Sequence, residues 1–113
     1  MSQHNEIVQR VAQALRDRGL YVRADHIQWP NGAPTDYGGV RPDVDAAHLG
    51  NIVYVVEAET EETLSTTETE EQLRRLGLFK KGQLVLAVPT GQRRQAEFNI
   101  RLWQVQVDQV WEL

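Results

Sequence analysis

No cysteine occurs among the 113 residues, which excludes disulfides and cysteine-ligated zinc. No apolar run approaches the roughly 20 residues that a bilayer span requires. The opening MSQHNEIVQR lacks the apolar stretch of a secretory leader, so the expectation is a cytoplasmic protein with no membrane partner. Lysine is almost missing, Lys80 and Lys81 being the only two. Net positive charge is missing too. The formal charge of −4 argues against a protein that coats nucleic acid through bulk charge. No internal repeat or low-complexity linker interrupts the chain.

What is present suits a single domain over residues 1–113. A chain of this length buries roughly 65% of its unfolded surface, enough for one core without staples. Hydrophobic residues make up 41% and charged residues 25%, the balance of a globular protein. The charge is unevenly spread. Residues 57–71 hold seven glutamates and no basic residue, whereas Arg74 to Arg101 hold seven of the twelve Lys and Arg residues. For a charged ligand, local fields of this kind outweigh the total.

Ile7, Val8, Val11 and Leu15 recur at helical spacing, which predicts a helix over about residues 5–18 with Asn5 as its cap and Gly19 as its end. Leu20 to Gln28 reads as a strand. Pro30, Gly32, Pro34, Gly38 and Gly39 then break any regular element, and loops of such length are often functional. Val40 to Ala47 and Asn51 to Thr60 read as two strands of a hairpin turning at Gly50-Asn51. The threonine- and glutamate-rich stretch Thr60 to Thr69 is a loop leading into a helix from Glu70 to about residue 80. QLVLAVP (83–89) is a short buried strand. Gly91 to Trp103 is a helix, and VQVDQVWEL (105–113) a closing strand. The order αβββαβαβ predicts an α/β domain with a mixed central sheet flanked by helices.

Within the hairpin, carboxylates collect. Glu57 and Glu59 lie two apart on a strand and share a face. If the turn centres on Gly50, Asp43 lies directly opposite Glu57 and Arg41 opposite Glu59, with β-carbons about 4.5–5.5 Å apart. A two-residue turn would put Asp43 on the wrong face, so this register requires an odd-length turn or a bulge. Like charges that close repel unless a divalent cation lies between them. Asp43, Glu57 and Glu59 therefore suit a hard cation with oxygen ligands, Mg²⁺ or Mn²⁺, which can generate hydroxide at neutral pH and stabilise a phosphorane-like charge. Asp45 shares the face of Asp43 but lies deeper, opposite Val55. Arg93 and Arg94, at the start of a helix after QLVLAVP, suit phosphates. His4, His26 and His48 show no ligand spacing and receive no role.

Pro42-Asp43, followed after thirteen residues by Glu57-Ala58-Glu59, resembles the PD-(D/E)xK nuclease signature. The order αβββαβ is similar to the core of that superfamily, which includes restriction endonucleases and archaeal Holliday junction resolvases. The resemblance implies a restriction-endonuclease-like fold and metal-dependent cleavage of nucleic-acid phosphodiesters, with Asp43 and Glu57 holding the cation. Gln72 matches the glutamine that often opens the helix after the motif, and Glu6 is the candidate for the recurrent glutamate of the first helix. The sequence departs from the pattern at Glu59, where the family usually has a lysine that orients water and offsets charge; some active restriction enzymes carry glutamate there. Lys80 and Lys81 close the crossover helix and are expected at the far edge of the sheet. Arg75, one turn from Gln72, is the better substitute.

The expected machinery is thus Asp43, Glu57, Glu59 and Gln72, with Arg41, Arg75, Arg93 and Arg94 on phosphates. The expected partner is nucleic acid, DNA ahead of RNA, met by a homodimer or with a partner subunit. The alternative is a nuclease-fold module without activity, acting as a nucleic-acid-binding or assembly subunit; the missing lysine and the net charge favour it.

Overall fold

The computed structural model describes residues 1–113. Ser2 opens the first element, because its hydroxyl accepts the Asn5 amide at 3.1 Å and caps helix α1 (Gln3–Asp17). The helix starts three residues earlier than Asn5 capping implied, and this frees the Asn5 side chain for another task described below. Ile7, Val8, Val11, Ala12 and Leu15 are buried along one face of α1.

The remaining elements are β1 (Tyr21–Ala24), β2 (Val44–His48), β3 (Asn51–Ala58), α2 (Thr67–Phe79), β4 (Gln83–Val88), α3 (Arg93–Trp103) and β5 (Gln109–Glu112). Their order is the expected one. The five strands form one sheet in the order β1-β2-β3-β4-β5. The first three run antiparallel, and β4 and β5 continue parallel to β3 through the helical crossovers. Side-chain alternation divides the core. Val44, Val56, Ala58, Val85 and Ala87 face α1, and Val55, Leu84, Leu86 and Val88 face Leu73 and Leu76 of α2 and Ala96 of α3.

Several boundaries differ from the sequence reading. β1 stops at Ala24, and His26 follows with φ of 67°, a left-handed conformation that a strand cannot hold. The loop then folds back: Trp29 Nε1 and Asn31 Nδ2 both donate to the Val22 carbonyl, at 2.8 and 2.9 Å, and Ala24 N–H donates to Gly32 O at 2.9 Å. β2 begins at Val44 rather than Val40, because Tyr37 and Val40 close a tight turn through reciprocal backbone bonds. α2 starts at Thr67, capped by Thr66, whose hydroxyl accepts Thr69 N–H at 3.2 Å. β5 covers only Gln109 to Glu112.

The hairpin register is the detail that matters most. The turn is Leu49-Gly50, both with positive φ (50° and 82°), and it pairs His48 with Asn51. Continued without interruption, that pairing would bring Asp43 level with Val56 and onto the α1 face. Instead the pairs jump from Ala47↔Ile52 to Ala46↔Tyr54, leaving Val53 unpaired, a β-bulge. Gly82 backs onto this point, and a β-carbon there would lie 2.4 Å from Val53 O. Beyond the bulge Val44 pairs with Val56, so Asp43 and Glu57 are the next residues along the two strands and share a face. Of the two devices the sequence reading allowed, an odd-length turn or a bulge, the hairpin uses the bulge, and its turn lies one residue earlier than Gly50-Asn51.

Asp45 lies opposite Val55, as expected. It is fully enclosed, with the Arg23 guanidinium donating to both its oxygens at 2.9 and 2.5 Å and Tyr37 O–H donating at 2.9 Å. Removing Arg23 would strand a buried charge. Arg23→Leu is expected to lower the unfolding free energy by about 3 kcal/mol, and Arg23→Leu with Asp45→Leu to recover part of that. Urea denaturation measures both; an unchanged midpoint in the single variant would contradict the pairing.

Candidate active site

β3 and β4 are parallel, so their carboxyl ends lie on one edge of the sheet, where open α/β sheets form clefts. A cavity of about 380 Å³ opens there. It is lined by Asp43, Glu57, Glu59, Gln72 and Arg41, and also by His4, His26, Glu68 and Thr63, Thr66 and Thr69. Five of the eight expected site residues are thereby brought together.

Asp43 is 4% exposed and tightly held. Its Oδ2 accepts Ala58 N–H at 2.8 Å and lies 3.2 Å from His4 Nε2, while Oδ1 lies 3.4 Å from His26 Nε2. Burial alone would raise its pKa, but the contacts with His4 and Glu57 outweigh it, and the carboxyl sits below its ordinary value. Glu57, also 4% exposed, is pushed well above the usual carboxylate range, first by burial and then by the negative charge of Asp43. The two neighbouring carboxyls are thus pushed in opposite directions, Asp43 toward the ionised form and Glu57 toward the neutral one. In this arrangement no three of the His, Asp and Glu side chains surround one point as the ligands of a metal ion do.

Glu59 follows β3, and its backbone N–H donates to Ala87 O at 2.9 Å, which prolongs the parallel ladder past the strand end. Its side chain sits in a threonine cage: Thr63 Oγ1 donates to one oxygen at 2.7 Å and Thr69 Oγ1 to the other at 2.9 Å. Burial raises its pKa, and the two hydroxyl bonds work against that rise. The stretch after Glu59 is therefore a scaffold whose hydroxyls cap α2 and fix a carboxylate.

Other expectations are corrected. Arg41 borders the cleft but is exposed and leans on Asp36, with Nε 3.4 Å from Oδ1, rather than on Glu59. Gln72 lines the cleft half-buried, its amide 3.4 Å from Glu68 Oε1. Arg75 is drawn out of the site by the Gly38 carbonyl, to which Nη1 donates at 2.7 Å. Arg93 and Arg94 are also absent from the cleft. The turn after β4 is pulled toward β5, since Thr90 N–H donates to Leu113 O and Gly91 N–H to Glu112. This carries Arg93 to the far side, 3.9 Å from Glu112, and leaves Arg94 exposed. Glu6 is exposed outside the cleft. Lys80 pairs with Asp108 at 2.9 Å and is not in the cleft, as expected.

His4 and His26 are the residues that sequence reasoning missed. They come from α1 and from the loop after β1, and only the fold brings them to Asp43, so no local spacing could reveal them. Their rings meet edge-on with centroids 5.3 Å apart. Asn5 joins them: its Nδ2 donates to the His26 carbonyl at 3.3 Å, which turns Oδ1 toward His4 Nδ1 at 3.1 Å. Comparison with known proteins finds no matching family model, curated protein or solved structure.

Two outcomes follow for the chelator-treated protein. The Asp43 contact raises the His4 pKa from 6.5 to about 9. The pair's stabilisation is thus complete below pH 6.5 and lost as pH rises through about 9. His4→Gln should flatten the stability profile over that window, and a His4 proton-resonance titration near 6.5 would contradict the assignment. Because burial and the Asp43 charge both push the Glu57 pKa up, Glu57→Gln is expected to melt at or above wild type at pH 7. Asp43→Asn, which deprives His4 and His26 of their anion, should melt about 4 °C lower, the shift given by about 1 kcal/mol. Scanning calorimetry separates them, and equal shifts in the same direction would refute the division of roles.

Proposed function

We propose that this chain is a metal-dependent nuclease of restriction-endonuclease-like fold that hydrolyses nucleic-acid phosphodiester bonds. The observation that carries this reading is the pair Asp43 and Glu57: two buried carboxyls on neighbouring strands, on one face, at the floor of an open cleft, with no lysine or arginine between them. Burying such a pair is costly and is not explained by packing. Hard oxygen donors at the carboxyl edge of a sheet fit Mg²⁺ or Mn²⁺. The spacing of Pro42-Asp43 and Glu57-Ala58-Glu59 supports the same conclusion, as does a sheet of the expected order.

Asp43 and Glu57 would hold the cation, which would supply an activated water and offset developing phosphate charge. Glu59, fixed by Thr63 and Thr69, orients the attacking water, whose oxygen bonds to phosphorus as the bond to the leaving oxygen breaks. Gln72 and Arg41 meet the phosphate from the rim. With only Arg41 of the four expected arginines at the cleft, phosphate contacts are few. This favours a homodimer or partner subunit that extends the surface, with DNA ahead of RNA as substrate.

A second reading has its own support. Both Glu59 oxygens accept hydroxyl bonds and no lysine is near, as suits a module that binds without cleaving. The test is Mg²⁺- or Mn²⁺-dependent nicking of plasmid, branched DNA and RNA. Asp43→Ala is expected to cost about 10²–10⁴-fold, and Glu59→Lys to lower activity as well. Cleavage that persists unchanged in Asp43→Ala would refute the mechanism. An inactive wild type with weak cleavage in Glu59→Lys would select the binding module.

A further inference from the structure

The two histidines extend the carboxylate site into a mixed one. Asp43 presents each of its oxygens to a different imidazole, Oδ2 to His4 Nε2 at 3.2 Å and Oδ1 to His26 Nε2 at 3.4 Å. Both are ion-pair distances, so each Nε2 faces the carboxylate. Asn5 decides which His4 nitrogen faces the cleft. A backbone carbonyl only accepts, so the Asn5 amide must turn its N–H₂ to His26 O and its Oδ1 to His4. His4 Nδ1 therefore carries a hydrogen, and Nε2 is the nitrogen left for a ligand. An imidazole anchored through its second nitrogen to an oxygen acceptor is how proteins orient metal-binding histidines.

His26 adds an independent sign. It holds φ of 67° although it is not glycine, kept there by its N–H bond to Asp25 Oδ1 at 2.9 Å, and such strain collects at functional positions. That conformation turns the ring back over Asp43 instead of letting β1 continue. Glu57 is 4% exposed and has no cationic side chain within salt-bridge distance.

Resting on the reading of Asp43 and Glu57 as cation ligands, we infer that His4 and His26 ligate the same cation through Nε2, giving a nitrogen–oxygen centre that favours Mn²⁺ and later first-row metals over Mg²⁺. Both Nε2 atoms already face the Asp43 carboxylate, and the His26 ring is half-exposed. Imidazole donors suit transition metals, whereas Mg²⁺ selects oxygen and water. Asn5 is a positioning residue in this scheme, since it orders both histidines without touching the ion.

The test needs no nucleic acid. Calorimetry of chelator-stripped protein with Mg²⁺ and with Mn²⁺ gives the preference, and pulsed electron paramagnetic resonance of the Mn²⁺-loaded protein reports nitrogen in the coordination sphere. Wild type is expected to bind Mn²⁺ more tightly than Mg²⁺ and to show nitrogen modulation. His4→Gln with His26→Gln should abolish that modulation and erase the preference while Mg²⁺ binding persists. Asn5→Ala should weaken Mn²⁺ about tenfold or more. Mn²⁺ bound without nitrogen modulation in wild type would overturn this inference and leave the carboxylate reading standing. Absence of any cation binding would overturn both. The spectroscopic result is read on wild type, so it does not depend on how the variants fold.

Discussion

Val53 has no partner across the hairpin, and the alternation of side chains on either side of it is offset by one. A strand has a period of two, so a single unpaired residue moves everything beyond it to the opposite face relative to its neighbour. The two-residue turn alone would have separated Asp43 from Glu57 by the full thickness of the sheet. The bulge sets both carboxyls on the α2 side, and the imidazole contacts and the cleft itself follow from that placement. Glycine at position 82 permits it, since any side chain there would strike the bulged carbonyl.

The sheet that carries this site is otherwise strongly apolar. Val55, Val56, Leu84, Val85 and Leu86 are fully buried between helices on both faces, and burial of this kind supplies the dominant favourable free energy of folding. Against it stands the cost of enclosing Asp43, Glu57 and Glu59, each no more than 6% exposed. The chain meets that cost locally and unequally. Asp43 has a backbone amide and two imidazoles, Glu59 has two hydroxyls, and Glu57 has no cationic partner. A domain that carries such a group at the end of its central strand gives up stability at that point.

How much of this could be read from the sequence depended on distance along the chain. Helix spacing in α1 and the short apolar run of β4 located their elements, and the resulting order fixed an α/β domain with a mixed sheet. The pairing of Asp43 with Glu57 was legible because a hairpin makes long-range geometry a matter of counting, although the bulge that satisfies it leaves no mark in composition. The arginines failed for a different reason. Where Arg75 and Arg93 point is decided by the Gly38 carbonyl and by Glu112, single contacts that no periodicity encodes. His4 and His26 were invisible because their meeting requires α1, the loop after β1 and the start of β2 to be packed first. The threonines between Thr60 and Thr69 looked like solvated loop because hydroxyl bonding to a carboxylate has no sequence period.

The loop that carries His26 also bears on how copies of the chain can meet. An edge strand offers a row of free amides and carbonyls to any strand that drifts past. On the β1 side that row is already taken. The Val22 carbonyl accepts from Trp29 and Asn31, and Ala24 N–H is bound to Gly32. Sheet growth from that side would first have to peel away the segment that holds His26 over the cleft. Strand addition is thereby steered to β5, only four residues long, so the arrangement that shapes the cleft also serves as a guard against aggregation.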